Sequence, residues 1–504
     1  MRAPAAAPRG LRPVAANVLR TGLTISLLFA LLATGAGWWQ VVEAQRLSTA
    51  ADNPAVIAAA RRTLRGEIVD RNGQWLARSS RDANGEAVRE YRDTSISHVV
   101  GYASRLFGTA GLERTYNAQL LGLAGGDPLG DLLGKFDPRP STPLGLQLAL
   151  DLRLQDLAVE LLGQDRGAVV LMDPATGEIL AMASTPVYDA NAIADTARAR
   201  EAFAALREDP ARPLLPRATL GRYTPGSVFK IVTAIAALDR GAVTPSTTFP
   251  EQPGAEEDGL LVEGFRIRDG HHAETGDEAL DLTGATEVSC NIWYALAGLE
   301  TGGSELVDAA AELGFGAAIP FDLPTAVSRV TGGNGRAPGG FVDNVELASA
   351  AFGQGETFVT PLQMALVAAT VANDGVLMRP RAVTAITGEG SRGSTLGPQE
   401  WRRVLGAGDA RAIQAAMQAA VEGNLGRRFT TGAKVPGIPT AGKSGTAELG
   451  GTGEPHSWFI GFSPVQQPEI AIAVIVEQGG RGGERAAPLA GRLMTRYFEL
   501  SGRR

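Results

Sequence analysis

Ser227 and Lys230 stand three positions apart in Tyr223-Thr224-Pro225-Gly226-Ser227-Val228-Phe229-Lys230, and Ile231 to Leu238 continue the run with almost no polar residue. After the Pro-Gly break this pattern predicts a helix that is apolar nearly all round and therefore buried. Residues three apart share a helix face, with Cβ atoms about 5–6 Å apart. A buried lysine is costly unless paired or neutral, and a neutral amine is a base. The pair reads as a nucleophilic hydroxyl with its own proton acceptor. Any Ser three residues before a Lys fits that pattern and most such pairs are solvated, but composition argues against it here. The chain has 47 basic residues, of which only Lys135, Lys230, Lys434 and Lys443 are lysines. Arginine does not give up its proton at working pH. A lysine kept in such a chain marks chemistry or a compact point charge.

Two further motifs follow in order: Ser289-x-Asn291, and Lys443-Ser444-Gly445-Thr446 within Ala441–Ala447. Their supporting elements are legible from periodicity. Leu146–Asp151 reads as a strand and Leu152–Leu162 as a helix. Gly167–Asp173 and Glu178–Ser184, joined by Pro174-Ala175-Thr176-Gly177, read as a hairpin with a buried face. Residues 243–281 are irregular and polar. Leu282–Leu299 reads as one helix carrying Ser289, Cys290 and Asn291, and Val345–Asn373 as another. Ala441–Glu448, Trp458–Phe462 and Ile470–Val476 read as strands, and Pro488–Leu500 as a closing helix. Strands at both ends with helices between predict an α/β (α+β) domain over 144–504, an antiparallel sheet flanked by helices with a helical lobe.

Before that domain, residues 1–20 carry Arg2, Arg9, Arg12 and Arg20 and no acid, and Thr21–Val42 carries no charge. Twenty-two helical residues rise about 33 Å, enough to cross a bilayer core. Arginines before the span and acids after it place the N-terminus in the cytoplasm and the rest outside, with Trp38 and Trp39 at an interface. A cleaved signal peptide with Leu23–Ala33 as its core is the competing reading, but no clean A-x-A site appears. Glu43–Ala60 reads as polar helix, Arg65–Gly73 as a strand entering an Asn-Gly turn, and Leu112–Leu121 as a helix. The Gly/Pro-rich stretch Gly125–Pro143 closes a small α+β membrane-proximal module over 43–143.

A net charge of -7 gives no sign of nucleic-acid binding, and the one cysteine, Cys290, excludes an internal disulfide. With only His98, His271, His272 and His456 beside it, composition argues against a metal cluster or cofactor, and the His271-His272 pair reads as exposed loop. Scarce histidine also weakens a Ser-His-Asp triad. Cys290 reads as packing off the catalytic face, His456 as a strand-end residue, and Tyr188 and Trp458 as core or rim.

Singly the three motifs are weak; in this order and spacing they resemble penicillin-binding proteins and serine β-lactamases. Arg65–Gly73 resembles the R-G-x-I-x-D-R-N-G segment of class B penicillin-binding proteins. Gly101-Tyr102, Gly111-Leu112-Glu113 and Leu120–Gly122 resemble their linker. The likeness continues through Thr176–Ala183, Pro186–Asn191, Thr360–Gln363, Trp458–Phe462 and Arg485–Pro488, from about residue 60 onward. It departs in having Ser444 where the family often has Thr, and in a short region before the catalytic domain, as in a compact member.

The resemblance implies a membrane-anchored D,D-transpeptidase that cross-links peptidoglycan and is acylated by penicillin. Ser227 would attack the penultimate D-Ala carbonyl and Lys230 would take its proton. Ser289 would relay a proton to the leaving amine and Asn291 would hold the substrate amide. Lys443, Ser444 and Thr446, with Gly445 between them, would bind the terminal carboxylate. The N–H groups of Ser227 and Thr446 would form the oxyanion hole. By the same resemblance the anchor and module would contact a glycan polymerase of the SEDS type and other cell-wall machinery. The alternatives are a D,D-carboxypeptidase or β-lactamase, for which no motif nominates a water-activating group, and a non-catalytic scaffold or sensor, for which degraded motifs would be expected.

Overall fold

The computed structural model describes residues 11–39, 63–123, 142–269, 272, 278–388, 393–425, 430–449 and 453–503. Val42, Glu43–Ala60, Lys135, His271 and most of the Gly125–Pro143 boundary lie outside them. The chain divides into two compact units, Met1–Arg62 and Thr63–Arg504.

The described part of the first unit holds helix α1, Leu11–Gly37. Its stretch Ala16–Gly37 is long and apolar enough to cross a membrane. Leu27, Phe29, Leu31 and Leu32 are exposed, which suits a lipid surround rather than water.

In the second unit, β1 (Ile68–Val69), β2 (Trp75–Arg81) and β3 (Ala87–Tyr91) form an antiparallel run. β4 (Gly145–Leu148) pairs parallel to β1. Buried Glu113 locks this region, accepting from Arg65 Nε at 2.8 Å and Arg89 Nε at 2.6 Å. Burial alone would raise the Glu113 pKa, but the two guanidinium charges outweigh it and hold the carboxyl ionised. The segment read as one helix over Leu112–Leu121 is two short turns, Gly111–Thr115 and Asn117–Leu120.

Next come α2 (Leu152–Leu162), β5 (Gly167–Met172) and β6 (Ile179–Thr185). Asp151 starts α2 by accepting from Arg153 N. The helical lobe contains α3 (Lys230–Asp239), α4 (Leu282–Val288), α5 (Asn291–Thr301), α6 (Asn344–Ala351) and α7 (Pro361–Ala372). Thus Leu282–Leu299 is two helices, not one. Ser289 adopts the left-handed conformation (φ 64°) between them. Val345–Asn373 is broken as well, by a loop ending at Thr360, whose hydroxyl caps α7 ahead of Pro361.

The strand β7 (Val383–Thr387) returns to β4 and completes, with Ser394–Thr395, a six-stranded sheet. Helix α8 (Ala407–Glu422) is followed by β8 (Ala441–Ala447), β9 (His456–Ser463), β10 (Ile470–Val476) and α9 (Ala486–Leu500). The central sheet runs β8-β9-β10-β5-β6, all antiparallel, so the last strands of the chain meet the first hairpin.

β10 is apolar at every position because both its faces are covered. Ala471, Ala473 and Ile475 enter the core shared with the helical lobe; Ile470, Ile472, Val474 and Val476 enter a second core under α2 and α9. Each buried Ile or Val contributes about 1.5–3 kcal/mol. This doubly covered sheet is the rigid wall, and its free edge, β8, carries Lys443.

Candidate active site

The nucleophile turn is built from two glycines. Gly226 has φ 57°, and a Cβ there would lie 2.8 Å from Thr446 O. A Cβ on Gly353, whose φ is 84°, would lie 2.0 Å from Gly226 O. Only glycine admits both the conformation and the approach. Gly226–Phe229 is a 3₁₀ turn, and α3 begins at Lys230. The expected continuous α-helix therefore starts one turn late. In 3₁₀ geometry residues three apart eclipse, which stacks Ser227 over Lys230.

Lys230 is fully buried. Its Nζ donates to Ser289 O at 2.6 Å, Asn291 Oδ1 at 2.8 Å and Ser289 Oγ at 3.2 Å. Lys443 Nζ donates to the same Ser289 Oγ at 2.8 Å and to Ser444 O at 3.0 Å. Among the described residues no hydrogen bond joins Ser227 Oγ to Lys230 Nζ; the amine's three donors are taken up by Ser289 and Asn291. The left-handed break at Ser289 turns both its carbonyl and its hydroxyl toward the amines.

Burial pushes Lys230 down from 10.5 to about 8, against the opposing pull of Asp269 and Cys290. Lys443 is also held well below its ordinary value, through burial first and the Lys230 charge second. Two buried amines bonded to one hydroxyl cannot both hold a full charge cheaply. The site wants an anion.

On β8, Lys443 and Gly445 share one face with their partners Ile460 and Trp458. A Cβ at Gly445 would meet Pro225 O at 2.9 Å and Val228 N at 3.1 Å, so this face abuts the nucleophile turn. Ser444 and Thr446 alternate to the other face, with Phe459 and Ser457 opposite. The Thr446 hydroxyl accepts from Gly482 N at 3.3 Å. The fold thus brings Ser227, Lys230, Ser289, Asn291, Lys443 and Gly445 to one seam, with Ser444 and Thr446 at its open strand edge.

Sequence reading missed Asp269. Its Oδ2 accepts from Asn291 N and from Ile292 N, the latter at 3.2 Å. It complements the N-terminus of α5 and fixes the Ser289–Asn291 turn. Cys290 is buried, as expected, and also caps α5: its sulfur accepts from Trp293 N at 3.3 Å. His272, read from sequence as exposed, is buried beside them. Composition argued against a metal cluster, yet Glu256, Asp269, His272 and Cys290 hold their donor atoms within 4.8 Å of one another. One thiol, one imidazole and two carboxylates fit a tetrahedral zinc ion. The Cys290 thiol donates to Glu256 Oε1 at 3.0 Å, and burial with these neighbouring carboxylates raises its pKa. A cation would reverse that and take it as thiolate.

The aromatics behave as packing. Tyr188 is buried edge-on to His98 and Tyr102, and its hydroxyl donates to Ser97 O. His456 opens β9 and accepts from Gln478 N at 3.0 Å through Nδ1.

Residues 167–495 match the penicillin-binding protein transpeptidase domain, and residues 65–129 the penicillin-binding protein A dimerisation domain. The chain belongs to the penicillin-binding transpeptidase family. It is 35% identical to the peptidoglycan D,D-transpeptidase PbpA of Mycolicibacterium smegmatis, over 94% of this chain and 97% of that protein. It is 31% identical to the peptidoglycan D,D-transpeptidase MrdA of Haemophilus influenzae, over 80% of this chain and 68% of that one. A structure of penicillin-binding protein A from M. tuberculosis, as its penicillin G acyl-enzyme complex, superposes with TM-score 0.74 at 30% identity, covering 88% of this chain and 100% of that one. This transpeptidase is a serine-type acyltransferase of peptidoglycan synthesis, with the penicillin-binding fold that the motif resemblance implies.

Proposed function

We propose that the transpeptidase works through an acyl-enzyme on Ser227, with residues 43–143 as its pedestal and 144–504 as its catalytic domain. The observation that carries the reading is the Ser289 hydroxyl bonded to both buried amines, Lys230 and Lys443. A substrate carboxylate beside Lys443 supplies the missing counter-charge, restores the Lys443 cation and so disfavours a second charge on Lys230. Lys230, neutral, takes the Ser227 proton as Oγ bonds to the penultimate D-Ala carbonyl carbon. The Ser227 and Thr446 N–H groups hold the developing oxyanion, each worth about 3 kcal/mol. The C–N bond then breaks, and the proton passes through Ser289 Oγ to the departing D-Ala amine. An amine from a neighbouring stem peptide attacks the ester, loses its proton back along that route and frees Ser227. Asn291, whose Oδ1 accepts from Lys230, would hold the substrate amide. Ser444 and Thr446 complete carboxylate binding at the strand edge, and Gly445 lets the nucleophile turn come up against that edge.

Where zinc is bound, Glu256, Asp269, His272 and Cys290 would hold it; its role there is to fix the turn that presents Ser289 and Asn291. We assign Ala16–Gly37 as a single-pass anchor with a cytoplasmic N-terminus, placing the catalytic domain outside. The pedestal would serve a SEDS-type glycan polymerase. β-Lactams would acylate Ser227. Mass spectrometry of the penicillin-treated chain tests the assignment: one adduct on the Ser227 peptide, absent in Ser227→Ala, is expected, and an adduct elsewhere refutes it.

A further inference from the structure

The two oxyanion donors assigned above come from different elements, Ser227 from the nucleophile turn and Thr446 from β8. Their spacing is set across a seam with no covalent link nearby. From one side the seam is held by contact, since Gly445 and Gly226 allow the backbones to touch and no closer. On the lobe side the turn is tied by Tyr223 N to Val359 O at 3.0 Å and Gly226 N to Gly353 O at 2.9 Å.

On the sheet side two side chains hold it. The indole of Trp458, fully buried, donates from Nε1 to Thr224 O at 3.0 Å. Trp458 is the register partner of Gly445, on the same face of the sheet, and bonds the turn from the strand next to the substrate edge. Tyr223 Oη donates to Glu477 Oε1 at 2.8 Å, and its ring meets Trp458 edge-on at 6.1 Å. Glu477, just past β10, is itself fixed by Arg217 Nε at 2.7 Å and Arg166 Nε at 3.1 Å. Arg217 is buried and also donates to Arg212 O and Ala211 O, so this anchor has no slack.

We propose that Trp458 and Tyr223 are positioning residues for acyl transfer: their two hydrogen bonds, to Thr224 O and to Glu477, hold the Ser227 turn at the distance from β8 at which both N–H groups can reach one oxyanion. They touch neither substrate nor the reacting atoms. Their effect falls on the chemical step, because docking of the carboxylate by Lys443 involves one side of the seam only. The inference rests on the Ser227 acyl-enzyme proposed above.

Stopped-flow acylation by a fluorescent penicillin, using the full chain in detergent, separates the acylation rate constant from the non-covalent dissociation constant. Trp458→Phe and Tyr223→Phe each remove one donor and keep a ring. Each is expected to lower the acylation rate constant about tenfold while the dissociation constant stays within about twofold. The pH midpoint of acylation should not move, since neither residue touches Lys230. Rate constants within about twofold of the parent, a loss confined to the dissociation constant, or a shifted midpoint would each overturn the proposal. If Trp458→Phe does not fold, Tyr223→Phe, which deletes only a hydroxyl, decides alone. Adduct formation in Ser227→Ala would instead overturn the Ser227 assignment, so the two failures are distinguishable.

Discussion

The pH dependence of acylation is the most direct probe of the buried amine pair. Lys230 acts as a base only when neutral, and burial brings it from 10.5 to about 8. Its neutral fraction is then about 1% at pH 6, about 10% at pH 7 and half near pH 8. An unshifted lysine would be about 0.03% neutral at pH 7, so burial supplies roughly a 300-fold advantage. In the complex the Lys443 cation restored by the bound carboxylate lowers Lys230 further, so the acylation rate constant should climb about tenfold per unit at the acid end and level off by about pH 8. Lys443 acts with the opposite sign: it holds the carboxylate only as a cation, and burial with the Lys230 charge lowers its pKa. Raising pH therefore weakens docking while it speeds the chemistry. The rate constant rises to a plateau, whereas its ratio to the dissociation constant is bell-shaped. Linkage adds a stability signature. Folded Lys230 binds fewer protons than unfolded Lys230 between about pH 8 and 10.5, so its penalty of about 3 kcal/mol is full below that window and gone above it. Stopped-flow acylation from about pH 5.5 to 10, corrected for β-lactam hydrolysis, measures both limbs. A rate constant flat from about pH 5.5 upward, or one falling as pH rises, would refute Lys230 as the base.

Further changes test the surrounding geometry. Gly445→Ala places a Cβ 2.9 Å from Pro225 O, where ordinary contacts begin at 3.4 Å. The turn must retreat by about 0.5 Å, slowing penicillin acylation about tenfold, and an unchanged rate would show that the seam is not tight. Glu113→Gln leaves the buried guanidiniums of Arg65 and Arg89 without a counter-charge. Thermal unfolding should reveal a loss of about 3–5 kcal/mol, and an unaltered transition would contradict that lock. Elemental analysis of the full chain dialysed against zinc should find about one ion per chain, lost in Cys290→Ser together with some thermal stability. No retained zinc and no change in unfolding would leave the four-residue cluster as a capping arrangement alone.

Where function is local in sequence, the chain was legible. Leu152–Leu162 and Ile470–Val476 form as read, since caps and an unbroken apolar run are written in adjacent residues. The Ser227–Lys230 pair is equally local, and so is the choice of lysine over arginine. The break at Ser289 was not visible: no glycine or proline marks it, and its left-handed backbone is held by contacts from other elements. The break after Ala351 did carry signals, in Gly353, Gly355 and Pro361, but the alanine run around them concealed it.

What the motifs could not disclose is how they are held together. Asn291 N meets Asp269 at a separation of 22 residues, Thr224 O meets Trp458 at 234, and Tyr223 meets Glu477 at 254. Trp458 opens a strand that periodicity predicts, but nothing local assigns its indole to Thr224, and Asp269 and Glu477 carry no pattern of their own. The stretch 243–281, expected to be irregular and polar, instead holds a short helix, Gln252–Asp258, and a hairpin of Leu260–Val262 with Phe265–Ile267, both too short to show a period. Its Glu256, Asp269 and His272 all face Cys290, a residue whose burial was expected and whose company was not. The chemistry of this enzyme is thus carried by short motifs, while its precision depends on residues that only the fold brings near. If acylation proves indifferent to Trp458 and Tyr223 but sensitive to Cys290, that precision comes from the turn at Ser289 and not from the seam beside Gly445.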